Sequence, residues 1–370
     1  MFPHQNIRRS NSGFSLVEIM IGIGLGLASL IIILQIFSVF EGQKRTTTSG
    51  ADAQVNGGVA LFSIERDVRM AGYGVNVPAA FGCTVNSSYN GINQPVLSLM
   101  PVTIIKGING LPDVVKILSS SKDNWSIPAR IIVDHPAPAS NVFLNTTLGI
   151  AVNDLMVAYE AGKDCTLLQV TGIPSGNVQI HHQNTSPWNP PGGQNIFPAA
   201  GYSAGAMLLN LGALVIRTYS VNAQSDMLLS DFVSATNTSI VQTLAPNIVN
   251  LQAQYGFDTR TSPGDARTDT WSDTMIDADS STVIGDSGDI SRLYAVRLAV
   301  AARSALLEKP KPDGTCDITT TTSANMPVWS GGTIDVSKNP DGTANASWTC
   351  YRYKVFETVI PVRNSIWREK

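Results

Sequence analysis

Several groups of side chains in this 370-residue chain have types and spacings that could support chemistry. The segment from Gly201 to Gly205 matches the GxSxG turn that presents a nucleophilic serine in α/β hydrolases, here Ser203. That fold needs a histidine after the serine. Every histidine of the chain precedes it: His4, His135, His181 and His182. We therefore expect no catalytic residue in this segment and no hydrolase.

Two further groups raise the question of a metal ion. His181 and His182 are adjacent, and adjacent side chains on a strand point to opposite faces, so we interpret them as a solvated loop pair. The run from Asp258 to Asp289 contains eight aspartates, including Asp277 and Asp279, without the spacing of an EF-hand loop. We predict no metal and no cofactor, and leave open calcium binding by this acidic run.

The four cysteines predict disulfides. Cys83, Cys165, Cys316 and Cys350 lie far apart, and no CxxC or Cys/His spacing of a zinc site is present. Structural disulfides in an oxidising compartment are therefore expected. Three connectivities are possible, and the pairing of the first two and of the last two cysteines closes the shortest loops, which favours it.

Composition limits the classes of function. Apolar residues make up 43% of the chain and charged residues 14%, against about 25% in ordinary soluble proteins. The 31 glycines and 20 prolines indicate a loop-rich, secreted β protein. Lys and Arg total 25 against 28 acidic residues, with no basic block, so nucleic acid is not an expected partner.

The N-terminus carries a membrane segment. A polar leader containing Arg8 and Arg9 runs into 22 residues without charge, Ile19 to Phe40, which are enough to cross a bilayer core of about 30 Å as a helix. A secretory signal would have a shorter apolar region followed by a small-residue cleavage site. Here the small residue, Gly13, precedes the apolar run, so cleavage at that point would leave the helix on the mature chain.

Glu18 interrupts this apolar segment near its start. A carboxylate at such a depth costs several kcal/mol unless it is paired, which makes it a functional candidate; a glutamate solvated at the headgroup boundary is the alternative. Cleavage after Gly13 would create an α-amino group on Phe14 with an ordinary pKa of about 8. A neighbouring subunit could offer that amine to Glu18.

Gly13, Phe14, Ser15, Leu16, Val17 and Glu18, followed by an apolar helix, resemble the class III signal of type IV pilins and pseudopilins. The resemblance implies that a prepilin peptidase cuts after Gly13, that Phe14 becomes N-methylated, and that Glu18 is the assembly glutamate. It also implies an inner-membrane protein with its head in the periplasm, later carried into a pilus on the cell surface.

A second resemblance extends along the chain and is to the PilW type of minor pilin. Four segments carry it: Ile64 to Gly74, Ile248 to Thr259, Tyr294 to Ser304, and Val355 to Glu369. It implies a non-enzymatic subunit that primes pilus assembly with other minor pilins and the major pilin, at or near the tip, with a tip adhesin as a candidate partner. The alternatives are a minor pseudopilin of a type II secretion system and, more distantly, a membrane-anchored ectodomain enzyme.

The fold class expected is α+β, with three parts: a leader over 1–13, a helix over 14–74 containing the membrane segment 19–40, and a β-rich head over 75–370. Apolar periodicity predicts that the helix ends near Ala71. Gly22 and Gly26 form a GxxxG spacing that lets another helix approach closely. Gly57 and Gly58 are expected to allow a bend.

In the head, short apolar runs between Pro, Gly and Asn clusters predict strands. Examples are Val114 to Leu118, Arg130 to Val133 and Leu155 to Tyr159. Alternation in 293–300 and 351–355 predicts half-buried strands. The stretches 183–205 and 259–289 are predicted to be long surface loops where partners dock.

Overall fold

The computed structural model describes residues 13–122, 127–176, 178–193, 195–261, 267–308, 310–311, 313–316 and 326–366. The predicted leader, with Arg8 and Arg9, therefore lies outside the described residues except for Gly13.

A single long helix opens the described chain. Helix α1 (Leu16–Met70) has 55 residues and so extends about 80 Å. It continues through Gly57 and Gly58 and ends just before Gly72, whose φ of +75° a side chain would disfavour. The Asn364 side-chain amide donates to the carbonyl of Ala71 at 2.9 Å, which satisfies one acceptor that the helix end leaves open.

In the described residues, the head consists of short strands, two small α-helices and a few 3-10 helices. The strands are β1 (Thr84–Asn86), β2 (Ser88–Tyr89), β3 (Ile92–Asn93), β4 (Leu97–Ser98), β5 (Val102–Ile105), β6 (Val114–Ser119), β7 (Ala129–Arg130), β8 (Asn141–Phe143), β9 (Leu155–Tyr159), β10 (Cys165–Gln169), β11 (Gln179–His181), β12 (Met207–Gly212), β13 (Val215–Val221), β14 (Met227–Val233), β15 (Thr238–Ala245), β16 (Ile248–Phe257), β17 (Thr270–Ser272), β18 (Leu293–Arg303), β19 (Val328–Trp329), β20 (Gly332–Thr333) and β21 (Tyr353–Pro361). The α-helices are α2 (Ser287–Ser291) and α3 (Arg363–Ile366). The predicted fold, an apolar helix followed by a strand-rich head, is confirmed.

Three larger sheets form the head. The six-stranded sheet has the order β4-β1-β10-β9-β12-β7, the five-stranded sheet β15-β14-β13-β6-β5, and the four-stranded sheet β17-β16-β18-β21. The five- and four-stranded sheets are antiparallel throughout, whereas β1 and β10 pair in parallel. Two-stranded ribbons pair β2 with β3, β8 with β11 and β19 with β20.

The second half of α1 is buried against the head. One core lies between this half and the five- and four-stranded sheets, and on the helix it contains Ala53, Ala60, Ile64 and Val68. A second core lies between the five- and six-stranded sheets. The five-stranded sheet is thus covered on both faces, by the helix and by the six-stranded sheet.

At Gly57 the helix lies very close to the head. A Cβ placed there would lie 2.3 Å from Cε2 of Phe356 on β21 and 3.2 Å from the methyl group of Ala302 on β18. At Gly58 nothing described lies within 4 Å. The glycine doublet was predicted to allow a bend. In the structure, its residue Gly57 allows the helix and the head to pack closely.

Strand β18 differs from the half-buried strand predicted for 293–300. It is buried on both faces over most of its length, because α1 covers one face and residues after β18 cover the other. Ala299 and Ala301 pack there against Trp329, Ile334 and Val336. The strand predicted for 130–133 is also shorter than expected, since β7 ends at Arg130.

The two predicted surface loops are partly buried. In 183–205, Trp188 and Tyr202 belong to hydrophobic cores, and Ile196 is buried. In 259–289, β17 joins the four-stranded sheet, and Asp289 is fully buried. The interpretation of both stretches as free surface loops was wrong for these residues.

His182 was also predicted wrongly as part of a solvated pair. It is buried, and its Nε2 lies 2.9 Å from Nε2 of the buried His135. Both rings lie against Phe197, with centroids 5.2 and 5.4 Å away. Burial, with the neighbouring imidazoles of His135 and His181, lowers the pKa of His182 to about 3, and burial lowers the pKa of His135. The pair is therefore neutral in the folded head.

Two disulfides link the head in the connectivity that loop closure favoured. Cys83 bonds to Cys165, at the start of β10, and Cys316 bonds to Cys350. The first closes 82 residues and the second 34.

The histidine pair predicts how stability depends on pH. Because the folded pKa of His182 lies below the unfolded value of about 6.5, the unfolded chain binds more protons as the pH falls below that value. The free energy of unfolding should therefore decrease as the pH falls from 6.5 towards 3. For His182 alone, the decrease between pH 7 and pH 5 is about 2 kcal/mol. Urea unfolding at both pH values should show this loss in the wild type and in His181→Gln, the matched control. An equal loss in His182→Gln would contradict the assignment.

The glycine doublet predicts opposite effects of one substitution at neighbouring positions. Gly57→Ala should lower the free energy of unfolding by about 1 to 3 kcal/mol, because the methyl group overlaps Phe356. Gly58→Ala should leave it unchanged or raise it by up to about 1 kcal/mol through helix propensity. Urea unfolding of both variants checks this, and equal effects would show that the approach at Gly57 is unimportant.

Candidate assembly interface

The first half of α1 is the most exposed apolar surface of the described chain. The most apolar 18-residue window of Leu16–Lys44 has a mean hydropathy of 2.5, and none of this window is buried. A helix of this length and composition can cross a membrane and suggests a membrane anchor or a signal sequence. We call Leu16–Lys44 the stem.

The residues predicted for processing and assembly lie at the free end of the stem. Gly13 and Phe14 precede α1, and Phe14 is exposed. Glu18 is in the first turn of α1, where the helix dipole favours a negative charge. The structure thus places Phe14 and Glu18 about one helical turn apart, both on accessible surface.

Gly22 and Gly26 leave an open strip on the stem. Being four residues apart, they lie on the same helix face, and nothing described lies within 4 Å of a Cβ placed at either. The strip can therefore accept the backbone of another helix at close range.

The head reaches back to the far end of the stem. Leu307 and Pro310, which follow β18, line a cavity of about 430 Å³ with Leu34 and Phe37 of the stem. The stem therefore leaves the head through an apolar groove.

A buried carboxylate orients the helix on the head. Asp67 is buried, accepts a hydrogen bond from Nη1 of Arg217 at 2.9 Å, and accepts another from the hydroxyl of Tyr219 at 2.6 Å. Arg217 also pairs with Asp231 on the next strand, with its Nε 3.4 Å from the carboxylate. Burial and the bond to Asp67 raise the pKa of Tyr219, so its hydroxyl stays a donor at neutral pH. The sequence analysis did not predict this network. Its one signal in the sequence is that an aspartate, Asp67, stands next to Val68 within the apolar periodicity of the helix.

The acidic run brings three carboxylates together. Oxygen atoms of Asp277, Asp279 and Asp289 lie within 4.8 Å of one another. Asp289 also accepts hydrogen bonds from the amides of Ala278 and Gly285, at 2.6 and 2.7 Å. Burial raises its pKa. The calcium alternative thus has grouped oxygen ligands, and it stays open.

The GxSxG segment is buried at Gly201 and Tyr202 and exposed from Ser203 to Gly205. The amide of Ser203 donates to Glu160 at 2.8 Å, and Nζ of Lys163 lies 3.4 Å from its hydroxyl. Glu160 and Lys163 also form an ion pair at 2.8 Å. These contacts hold the turn in place.

Comparison with known families finds a match in the later part of the chain. The model of the family described as type IV pilus-assembly protein W matches residues 214–364. The match supports a PilW-type pilus protein and involvement in type IV pilus assembly with other pilus components. The matching family is one of assembly proteins and is not a known enzyme family. None of the curated proteins matches the chain.

The region that matches the PilW model includes groups that hold α1. Arg217 and Tyr219, which bind Asp67, lie within it, as does Phe356, which contacts Gly57. The match begins after the six-stranded sheet, whose strands all precede residue 214. The matched region, which we call the family region, therefore contains much of the sheet surface against which the helix packs, while β5 and β6 of the five-stranded sheet precede it.

The Asp67 network predicts a large effect from a conservative change. Asp67→Asn should lower the free energy of unfolding by about 3 kcal/mol, because it removes the buried partner of Arg217. Glu65→Gln is the matched control, since it breaks only the partly exposed pair with Arg69 on the same helix and should cost about 0.5 kcal/mol or less. Urea unfolding measures both variants, and similar effects would contradict a special role for Asp67.

Proposed function

We propose that the chain is a minor pilin that primes type IV pilus assembly and occupies a position at or near the filament tip. The observation that carries the proposal is the contrast between the two halves of α1. The stem is apolar and exposed, whereas the second half packs against the head, including its family region. An apolar surface of this extent needs a bilayer or other helices to cover it. The stem of a pilin lies in the bilayer before assembly and among the helices of other subunits afterwards.

Processing follows from the order of residues at the stem. Prepilin peptidase cleaves after Gly13, Phe14 becomes the methylated N-terminus, and the stem anchors the head on the periplasmic side of the inner membrane. Gly13 and Phe14 lie outside the helix, which supports the proposal because backbone that is not in a helix is accessible to a peptidase.

Assembly uses Glu18 and the glycine strip. In a bundle of stems the Glu18 carboxylate is withdrawn from water and requires a cation. The new amine on Phe14 of an adjacent subunit supplies it. Gly22 and Gly26 let that neighbouring stem approach closely enough for the two groups to meet.

The size of the head favours a scarce subunit. A head of about 300 residues has a radius of gyration near 19 Å and is about 50 Å across. Pilin stems stack at small axial offsets, so heads of this size would collide if they were repeated along a shaft. A single copy at the end avoids the collision and leaves the head free to contact other minor pilins or an adhesin.

Cleavage after Gly13 predicts the mass of the mature protein. The chain isolated from its native host should begin at Phe14 and carry one added methyl group on the N-terminal amine. Removal of residues 1–13 also removes Arg8 and Arg9 and no acid, so the formal charge of −3 becomes −3 − 2 = −5. Intact-mass spectrometry decides this, and a mature chain that retains Met1 or begins after Phe40 would rule out the pilin assignment.

Glu18→Ala predicts a specific loss of assembly. The variant should be cleaved and inserted in the membrane normally, because neither step uses the carboxylate as a partner for another stem. Its amount in sheared pili should fall severalfold. Ser29→Ala is the matched control, since the Ser29 hydroxyl bonds only to the Leu25 carbonyl of its own helix. Incorporation of Glu18→Ala at the wild-type level would contradict the pairing.

A further inference from the structure

A cavity unrelated to the stem lies between the five- and six-stranded sheets. Its volume is about 230 Å³, and residues of both sheets line it, among them Lys116 on β6, Leu167 on β10 and Phe232 on β14. Clefts between packed layers of this kind are common places for small-molecule sites.

One formal charge faces the cavity, and it is positive. Among the described residues that line it, Lys116 is the only charged one. Lys116 is partly buried, and within the described parts of the chain its ammonium group makes no hydrogen bond and no ion pair. Burial accordingly lowers the pKa of Lys116, with no carboxylate to oppose it. A half-buried cation without a counterion is unfavourable until an anion binds.

Two hydroxyl groups extend this cationic end. Lys116 pairs with Thr218 on β13, and Thr218 pairs with Ser230 on β14, so the three side chains form a row across neighbouring strands. All three line the cavity. An ammonium with two adjacent hydroxyls offers hydrogen-bond donors suited to the two oxygens of a carboxylate.

The remainder of the cavity wall is mainly apolar and aromatic. Trp188, Phe232, Leu214 and Val96 line it. Trp188 is fixed in place, because its Nε1 donates to the carbonyl of Ser234 at 2.9 Å and its ring contacts Tyr89 at a centroid distance of 5.0 Å. A preformed aromatic wall beside a cation suits a ligand with an apolar body and one negative end.

We propose that this cavity binds a small carboxylate with an apolar or aromatic body, its carboxylate on Lys116, Thr218 and Ser230 and its apolar part against Trp188 and Phe232. The source is either a free organic acid or the C-terminal carboxylate of a peptide that ends in an aromatic residue. The site does not depend on the pilus role, since none of its residues belongs to the helix.

Fluorine NMR on the full chain in detergent tests the site, with fluorophenylacetate as the probe and empty micelles as the blank. The wild type should broaden the probe signal, and unlabelled phenylacetate should reverse the broadening. Lys116→Met should weaken binding by about tenfold or more, as expected for loss of a charged hydrogen-bond donor. Lys116→Arg should retain binding, as should Lys354→Met, which removes an exposed lysine from β21.

Two competitors distinguish the sources of the carboxylate. Stronger competition by phenylacetate assigns a free acid, and stronger competition by N-acetyl-glycyl-phenylalanine assigns a peptide terminus.

The proposal is overturned if the wild type does not broaden the probe signal, if Lys116→Met binds the probe as the wild type does, or if the neutral amide fluorophenylacetamide binds as well as the acid.

Discussion

The structure depends on one packing contact, the seating of the second half of α1 on the five- and four-stranded sheets. Small residues make that contact close, since Gly57 leaves room for Phe356 where any side chain would overlap it. The buried Asp67 then binds both Arg217 and Tyr219, which fixes the rotation of the helix. Because α1 is one continuous helix, this seat also sets the direction in which the stem leaves the head.

The same contact explains why the stem is exposed. The sheets cover α1 from about Ala53 to Met70, and the helix is far longer than the head can cover. The excess is apolar, so it must be covered by lipid or by other subunits. The length of α1 therefore links the fold to the proposed function. The head holds the second half of the helix, and the proposed assembly interface is the stem, which lies outside the head.

Local sequence signals predicted much of this architecture. Apolar periodicity predicted a helix end near Ala71, one residue from the observed end at Met70, although the helix range 14–74 extended beyond it, and short loop closure favoured the observed cysteine pairs. Contacts between distant segments were not predictable in this way. Residues after β18 return to bury Ala299 and Ala301, and folding brings His135 and His182 together. The Asp67 network and the Lys116 cavity likewise depend on strand neighbours that sequence spacing does not show.

The central claim is that a small number of these stems are buried among other subunits at the end of a filament. Immunogold labelling of sheared pili with antibodies to the head tests it most directly, combined with a mass-spectrometric count of copies relative to the major pilin. The account predicts label at filament ends and a copy number far below that of the major pilin. Even labelling along the shafts, or absence of the protein from the filaments, would contradict it.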